Sequence, residues 1–500
     1  MNANIPVIIA GAGPSGLVLA LWLAKRGVRV RIIDKSPVPG LTSRALAVQA
    51  RTLELYRQLG LAEKLVAAGI TAKEITMRRQ GREVARAKVG AFGEGQSPFP
   101  YLLFCSQDIH EELLCRELEA EGVRVERHTE LVSFQQDGEG VDLLLRGPGG
   151  EERARALYLA GCDGAHSTVR KGLGLAFPGG TYSQVFFVAD AQTNAEGRGL
   201  EICLSPEDFC IVMPIRQKNS VRLTGTVPPE HEKKEKIDFA EVAAAVKRNT
   251  GLEVEKINWF STYHVHHRVV DHFRQARVFL VGDAAHIHSP AGGQGMNTGI
   301  GDAINLAWKL ADVVQGRAAP SLLDSYEPER LAFARVLIST TDTAFRFLTN
   351  RSWLGSGFRA YLLPRLFSWL AHWKPFLRFA FRTISQIRIE YRASPLSRRA
   401  EGPLRAGDRL PWVSYGREDN FPLGIEWELH TYGEARGKAP GIYARSFMLS
   451  DEARKKGLAE ALYLVRPDGY IAYIGGEAGL HAYLQRIGWS AGAGSGEMTG

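Results

Sequence analysis

Five hundred residues, 45% hydrophobic and 23% charged, suffice for two or three globular domains with sizeable cores and exclude a disordered or fibrous chain. The formal net charge of +8 is gathered in one place: residues 351–399 hold ten Lys or Arg against one acid, Glu390, so the rest is near neutral and no basic module of a nucleic-acid binder is present. Five scattered cysteines without a CxxC or metal-ligand spacing, and a start that runs straight into a strand without a secretory leader, lead us to expect a reducing cytoplasm and no bound metal.

In chain order, residues 7–10 are predicted as a buried strand, and Gly11, Gly13 and Gly16 follow at once in a GxGxxG turn. Such a turn is tight, leaves room for a pyrophosphate and lets the next helix, predicted over 17–27, aim its N-terminus at the phosphates. The strand over 28–33 ends at Asp34, placed for a ribose hydroxyl. A helix over 48–59 comes next, preceded by Arg44, which is either a surface residue or a cation for a pyrophosphate. Gln107 opens a further helix with Ile109, Leu113 and Leu114 apolar, and alone reads as a capping or surface residue. A strand over 157–160 then runs into Gly161, Cys162, Asp163 and Gly164, with a helix bearing Ser167 and Arg170 directly behind it. This repeats the order strand, glycine turn, acid, helix.

Three strand-like runs at 184–190, 209–215 and 221–227 suggest an antiparallel sheet. His264, His266, His267 and His272 alternate between faces and have no carboxylate or cysteine at metal spacing. The strand at 278–281 breaks at Gly282 and Asp283, an acid delivered at a strand tip. Its loop, 290–295, has three glycines in six residues and can approach a flat ring closely. From Met296 the chain is predicted helical, with free amides in its first turn. Over 376–391, Phe376, Ala380, Ile384, Ile387 and Tyr391 form one helical face, with Arg378, Arg382, Arg388 and Arg392 on another. Arginines interrupt every run before the roughly 20 apolar residues a membrane span needs. A packed helix with a solvated basic face, docking on a membrane surface through 376–392, and attraction of anionic NADPH all remain open for it. After Pro395 a loop-rich linker leads to a strand, helix, strand, tight turn, strand pattern.

The three glycine-and-acid motifs, in this order, resemble those of the single-component FAD-dependent aromatic hydroxylases, typified by para-hydroxybenzoate hydroxylase and, more closely, by the phenol and aromatic polyketide hydroxylases. The resemblance covers about residues 5–400 and is most specific from Gly282 through Ala311. It implies an α/β fold: a Rossmann-like FAD-binding domain (1–70, 100–178 and 268–345), an interleaved β-sheet substrate domain (71–99, 179–267 and 346–395) and a short thioredoxin-like C-terminal domain (396–500). With no cysteine after Cys210, thiol redox chemistry in that tail is excluded.

By the same resemblance FAD would be held by Gly11, Gly13, Pro14, Ser15, Gly16, Asp34, Lys35, Arg44, Gln107, Val132, Asp163, Asp283, Pro290, Gly293, Gly295, Met296 and Asn297. NADPH or NADH would visit near Arg44, Asp163 and Arg170. Pro290, Gly292 and Gly293 would form the pocket for the peroxide made when O2 adds at the flavin C4a carbon, whose distal oxygen a phenolic or polycyclic substrate attacks. A bulky side chain at Gly293 is expected to close that pocket while sparing the fold. The implied partner is a small aromatic molecule, the chain being a monomer or homodimer. Other classes stay open: a reductase or oxidase of a lipid-like substrate at a membrane surface, a non-catalytic flavin module, and a flavin halogenase, whose WxWxIP stretch no tryptophan here forms.

Overall fold

The computed structural model describes residues 5–40, 45–88, 93–194, 199–290, 292–349, 357–397 and 402–490. Its first sheet has the parallel order Val278–Leu280, Gly150–Gly161, Ile5–Ala10, Val30–Ile33, Val125–Glu126. The apolar runs that suggested strands are buried on both faces, as a sheet covered by helices requires. Pro14–Lys25 and Gly295–Val314 pack side by side against it, and their Leu17, Trp22, Ile304 and Trp308 lie in one core. The first helix starts at Pro14, earlier than the periodicity indicated, because proline suits a helix's first turn. Val48 falls in the short strand Ala47–Val48, and the helix expected from there begins at Ala50.

The second sheet is built from Gly179–Thr193, Ser220–Thr226, Phe209–Pro214 and Val254–Val269, all antiparallel as expected. Its other end is mixed, since Leu200–Leu204 pairs in parallel with Glu74–Arg79. The helix Phe239–Thr250 covers one face through Val242 and Val246. The opposite face packs Phe186 and Phe209 with Phe345, Leu363 and Phe367, and Ile211 and Met213 with Leu46 and Ala47.

The basic segment divides differently from its periodicity. Its helix is Lys374–Ile384, and the chain leaves it through Gln386 at φ 61°, so Ile387 and Tyr391 lie beyond the helix although both are buried. Pro364 and Pro375 sit in the first turns of Leu363–Leu370 and Lys374–Ile384, where a proline is compatible with the start of a helix. Leu363 and Phe367 pack on the second sheet, whereas Leu377, Phe381 and Ile387 join the first core.

The tail forms a four-stranded sheet in the order Tyr443–Phe447, Glu428–Tyr432, Leu462–Val465, Ile471–Gly475, followed by the helix Glu477–Arg486. Its hairpin reaches into the rest of the molecule. Arg466 is buried, donating to both oxygens of Glu329 at 2.8 and 2.9 Å, and Lys309 reaches the same carboxylate at 2.8 Å. Burial alone would raise the Glu329 pKa, but Arg466 and Lys309 outweigh it and hold the carboxyl well below its ordinary range. Arg409 likewise donates to buried Glu54 at 2.9 Å, and Arg57 grips Asp419 at 2.6 Å. Among the described residues, no helix is long and apolar enough to cross a membrane.

Candidate active site

The parallel strands stop in step. In register, Ala10 lies beside Ile33 and Gly161, and Gly161 beside Leu280. The Gly11 turn, Asp34, the Cys162 turn and the Gly282 turn therefore leave the sheet along one edge, the carboxyl edge where open α/β sheets bind ligands. The backbones of these turns nearly touch. A Cβ at Gly11 would collide with the Cys162 carbonyl, and one at Gly16 with the Gly11 carbonyl, whereas one at Gly13 would meet nothing within 4 Å. Gly13 also leaves the first amides of Pro14–Lys25 without a side-chain cap. Open space before free amides at a helix N-terminus suits a pyrophosphate.

Ser15 ties this turn to the third motif. Its hydroxyl would lie 2.8 Å from a Cβ on Gly282 and would also obstruct one on Gly299, so the two long helices meet the Gly282 turn at glycine contacts. Asp34 accepts from the Ala12 N–H at 2.7 Å and the Ser36 N–H at 2.7 Å, leaving lone pairs for a hydroxyl. Lys35 is exposed beside it, and Val132 is half-buried on Glu130–Gln136, whose approach is fixed by the Thr129 N–H donating to the Asp34 carbonyl at 2.9 Å. Gln107 begins its helix and donates to Glu111 Oε1 at 2.8 Å. Arg44 lies outside the described residues.

Asp163 caps the short helix Thr168–Gly172 through Oδ2, which accepts from the N–H groups of Thr168 and Val169 at 2.7 and 3.1 Å. Its Oδ1 is buried with no protein donor among the described residues. A buried acceptor in that state calls for a ligand donor. Arg170 is a joint between loops: it donates to the carbonyls of Ala284 at 3.0 Å and Ala165 at 2.8 Å and lies over the Phe177 ring. Its guanidinium is thus already held, and of the two nicotinamide candidates among the described residues Asp163 presents an open atom here.

Asp302 lies beneath Asp283 and had escaped the motif reading. It accepts from the Gly282 N–H at 3.1 Å, pairs with His286 Nε2 at 2.6 Å and receives Arg330 Nε at 2.5 Å. Full burial pushes its pKa up, yet Arg330 and His286 together bring it below the ordinary carboxyl value. The signal was an acid in the middle of a largely apolar helix, where a buried acid needs a partner. Asp283 itself is exposed at the strand tip.

The loop that follows is clamped from behind. Gln49 Nε2 donates to the Gly292 carbonyl at 2.9 Å. Asn297 uses every side-chain atom on the framework: Oδ1 accepts from the Gln49 N–H at 2.9 Å and Thr52 Oγ1 at 2.8 Å, and Nδ2 donates to the carbonyls of Ala47 and Gly293 at 2.9 and 3.0 Å. Its polar side-chain atoms are thus all engaged by the framework, which leaves backbone amides free to meet a ligand. Gly293 adopts φ 62°, and a Cβ there would sit 2.8 Å from Ala47 Cβ, so a bulky residue would distort the loop itself, contrary to the expectation of a spared fold. Pro290 is exposed and accepts from the Gly293 N–H at 2.9 Å. Gly295 begins the long helix without a side-chain cap, and Met296 behind it is half-buried. His288 donates from Nδ1 to the Ser289 carbonyl at 2.8 Å, and burial lowers its pKa to about 4, leaving Nε2 a neutral acceptor.

Ala47 links the loop to an apolar cluster with Leu46, Leu200, Ile211, Met213 and Ile215. Ile211, Met213 and Ile215 are half-buried, while the alternate Val212 and Pro214 are buried on the other side of the strand. One apolar, half-open wall of the second sheet thus stands next to the glycine loop. The open Gly13, the two uncapped helix starts and the unpartnered Asp163 Oδ1 fit an FAD.

The FAD binding domain family matches residues 4–341. Over 355 residues the chain is 39% identical to 6-methylpretetramide 4-monooxygenase of Streptomyces rimosus, a match spanning 69% of this chain and 62% of that protein, less than two thirds of its length. It is 34% identical over 497 residues to a flavin-dependent monooxygenase of Mycobacteroides abscessus, covering 93% of this chain and 96% of the relative. The solved structure of the anhydrotetracycline hydroxylase OxyS from Streptomyces rimosus is similar with a TM-score of 0.76 at 28% identity, across 98% of this chain and 99% of the other.

Proposed function

The chain belongs to the FAD binding domain family of flavin-dependent aromatic hydroxylases, and from that premise we propose that it hydroxylates a fused-ring, polyketide-like phenol seated between loop 290–295 and the wall formed by Ile211 and Met213. It is an FAD-dependent monooxygenase, and its family uses NAD(P)H and O2. The observation that carries the substrate assignment is that half-open apolar wall, which joins the loop through Ala47 and offers a broad face to a flat, apolar molecule.

FAD, when bound, supplies the redox chemistry and the activation of O2. The residues of this chain bind, orient and shield. The Gly11 to Gly16 turn and the start of Pro14–Lys25 would receive the pyrophosphate, Asp34 a ribose hydroxyl, and Asp163 Oδ1 and Asp283 further hydroxyls. The first amides of Gly295–Val314 present fixed donors where negative charge develops, and such preorganised donors are worth most in a water-poor site. Leu46, Ala47, Ile211 and Met213 keep water from that place and hold the substrate ring near it. Asp302, through Gly282, and Asn297, through Gly293 and Ala47, keep both loops in position. The nicotinamide donor, with no second dinucleotide turn to occupy, visits the cleft beside Asp163.

Met213→Trp fills the space before the wall. A fused-ring phenol should then lose most of its turnover, with KM raised, while FAD content and the slow substrate-free oxidation of NAD(P)H stay unchanged. Unaltered turnover in that variant would place the substrate elsewhere.

A further inference from the structure

Exposed large apolar side chains are gathered at one place on this molecule. Of the twelve among the described residues, seven fall between Tyr361 and Ile384. The helix Leu363–Leu370 and the turn before it place Leu362, Leu366 and Trp369 at spacings of four and three, a single stripe, and Trp373 follows just beyond the helix, at the start of the next one. Trp369 is 68% and Trp373 55% exposed. The stripe is not the packing face: Leu363 and Phe367 serve that purpose, against the second sheet. The helix therefore has two apolar sides, one of them without a partner among the described residues.

Beside the stripe stand exposed Arg365, Lys374 and Arg378. The one acid in residues 351–399, Glu390, lies away from them, 3.4 Å from Arg392. The adjoining helix Lys374–Ile384 buries Leu377 and Phe381 and turns Lys374 and Arg378 outward. An aromatic and aliphatic ridge whose own segment supplies Arg365, Lys374 and Arg378 beside it differs from an ordinary solvated helix face, where isolated apolar residues are interspersed with both signs of charge.

We propose that this face docks on an anionic lipid surface, with Leu366, Trp369 and Trp373 entering the headgroup boundary and Arg365, Lys374 and Arg378 meeting the lipid phosphates. Tryptophan and leucine suit that depth, and long basic side chains reach back to the charged layer. No described helix can span a bilayer, so the contact is superficial. A second copy of the chain is the poorer occupant. Two-fold pairing of this face would bring the same three cations of both molecules together with no acid to offset them.

The test uses the full-length, FAD-loaded protein and flotation with vesicles of phosphatidylcholine alone or with about one third phosphatidylglycerol. Binding should be roughly tenfold or more tighter to the anionic vesicles and should weaken in high salt. Trp369→Ala with Trp373→Ala should abolish it, as should Arg365→Gln, Lys374→Gln and Arg378→Gln together, with flavin absorbance and thermal midpoint unchanged in both variants. Absence of binding to anionic vesicles, equal binding to neutral ones, or binding unchanged in both variants overturns the proposal. So does a concentration-dependent dimer that the tryptophan variant splits and that ignores vesicles, which would make the face a contact between copies.

Discussion

Asp302→Asn removes one charge and no volume from the base of the Gly282 turn. The carboxylate meets three donors, the Gly282 N–H at 3.1 Å, His286 at 2.6 Å and Arg330 at 2.5 Å, and all lie in the buried core. An amide offers one acceptor oxygen, so its NH2 must face at least one of these donors. Arg330 keeps the Tyr391 hydroxyl at 2.7 Å and the Thr298 carbonyl at 3.1 Å but loses its ion pair with the carboxylate. Breaking a buried pair from one side typically costs about 3–5 kcal/mol. For a domain of this size that corresponds to a fall in thermal midpoint on the order of 10 °C. Because Gly282 precedes Asp283, the loosened turn should also weaken FAD binding. Thermal unfolding followed by flavin fluorescence, together with FAD titration of the apoprotein, reads both effects. A midpoint and an FAD affinity that both match the unaltered protein would refute the reasoning that Asp302 holds the turn.

Gly13→Ala and Gly16→Ala should separate ligand space from fold space. The first should fold with an unchanged midpoint as apoprotein yet bind FAD weakly, because its Cβ enters open space, whereas the second should fail to fold well, its Cβ colliding with the Gly11 carbonyl; circular dichroism and FAD titration distinguish them. Truncation before Pro403 removes Arg466 and Arg409 and leaves Glu329 with Lys309 and Glu54 with Arg51 as their remaining cations, so expression of soluble, FAD-binding protein should fall sharply. Glu54, Asp302 and Glu329 all have folded pKa values below their ordinary ones. Their stabilisation is therefore complete above the unfolded carboxyl range near about pH 4 and is lost as pH falls through the folded values. Unfolding midpoints measured downward from pH 6 should drop steeply in the acid range, and a flat profile would show that these carboxylates are not charged in the folded state.

The sequence disclosed what is local and concealed what is distant. Gly11 to Gly16, Asp163 and Gly282 with Asp283 were legible because a strand, a glycine turn and a helix start follow one another within a dozen residues. Their juxtaposition at one sheet edge follows from parallel pairing, which a strand-turn-helix pattern implies. Asn297 was expected among the residues that hold FAD, and the role of its side chain as a clamp was hidden because its partners Gln49, Thr52 and Ala47 lie some 250 positions away. Arg330 with Asp302 and Arg466 with Glu329 are hidden for the same reason. The strand Glu428–Tyr432 was missed because it is buried throughout and carries Glu428 and His430 inward, which satisfy one another at 2.8 Å and spoil any alternation. The basic helix was read too long since Gln386, not a glycine, takes the left-handed conformation that ends it.

Oxygen labelling tests the monooxygenase assignment most directly. With the FAD-loaded protein, NAD(P)H and a fused-ring phenol, turnover under 18O2 should place one labelled atom in the new hydroxyl, and turnover in H2 18O under ordinary O2 should place none. Label arriving from water, or product formed without O2, would contradict it.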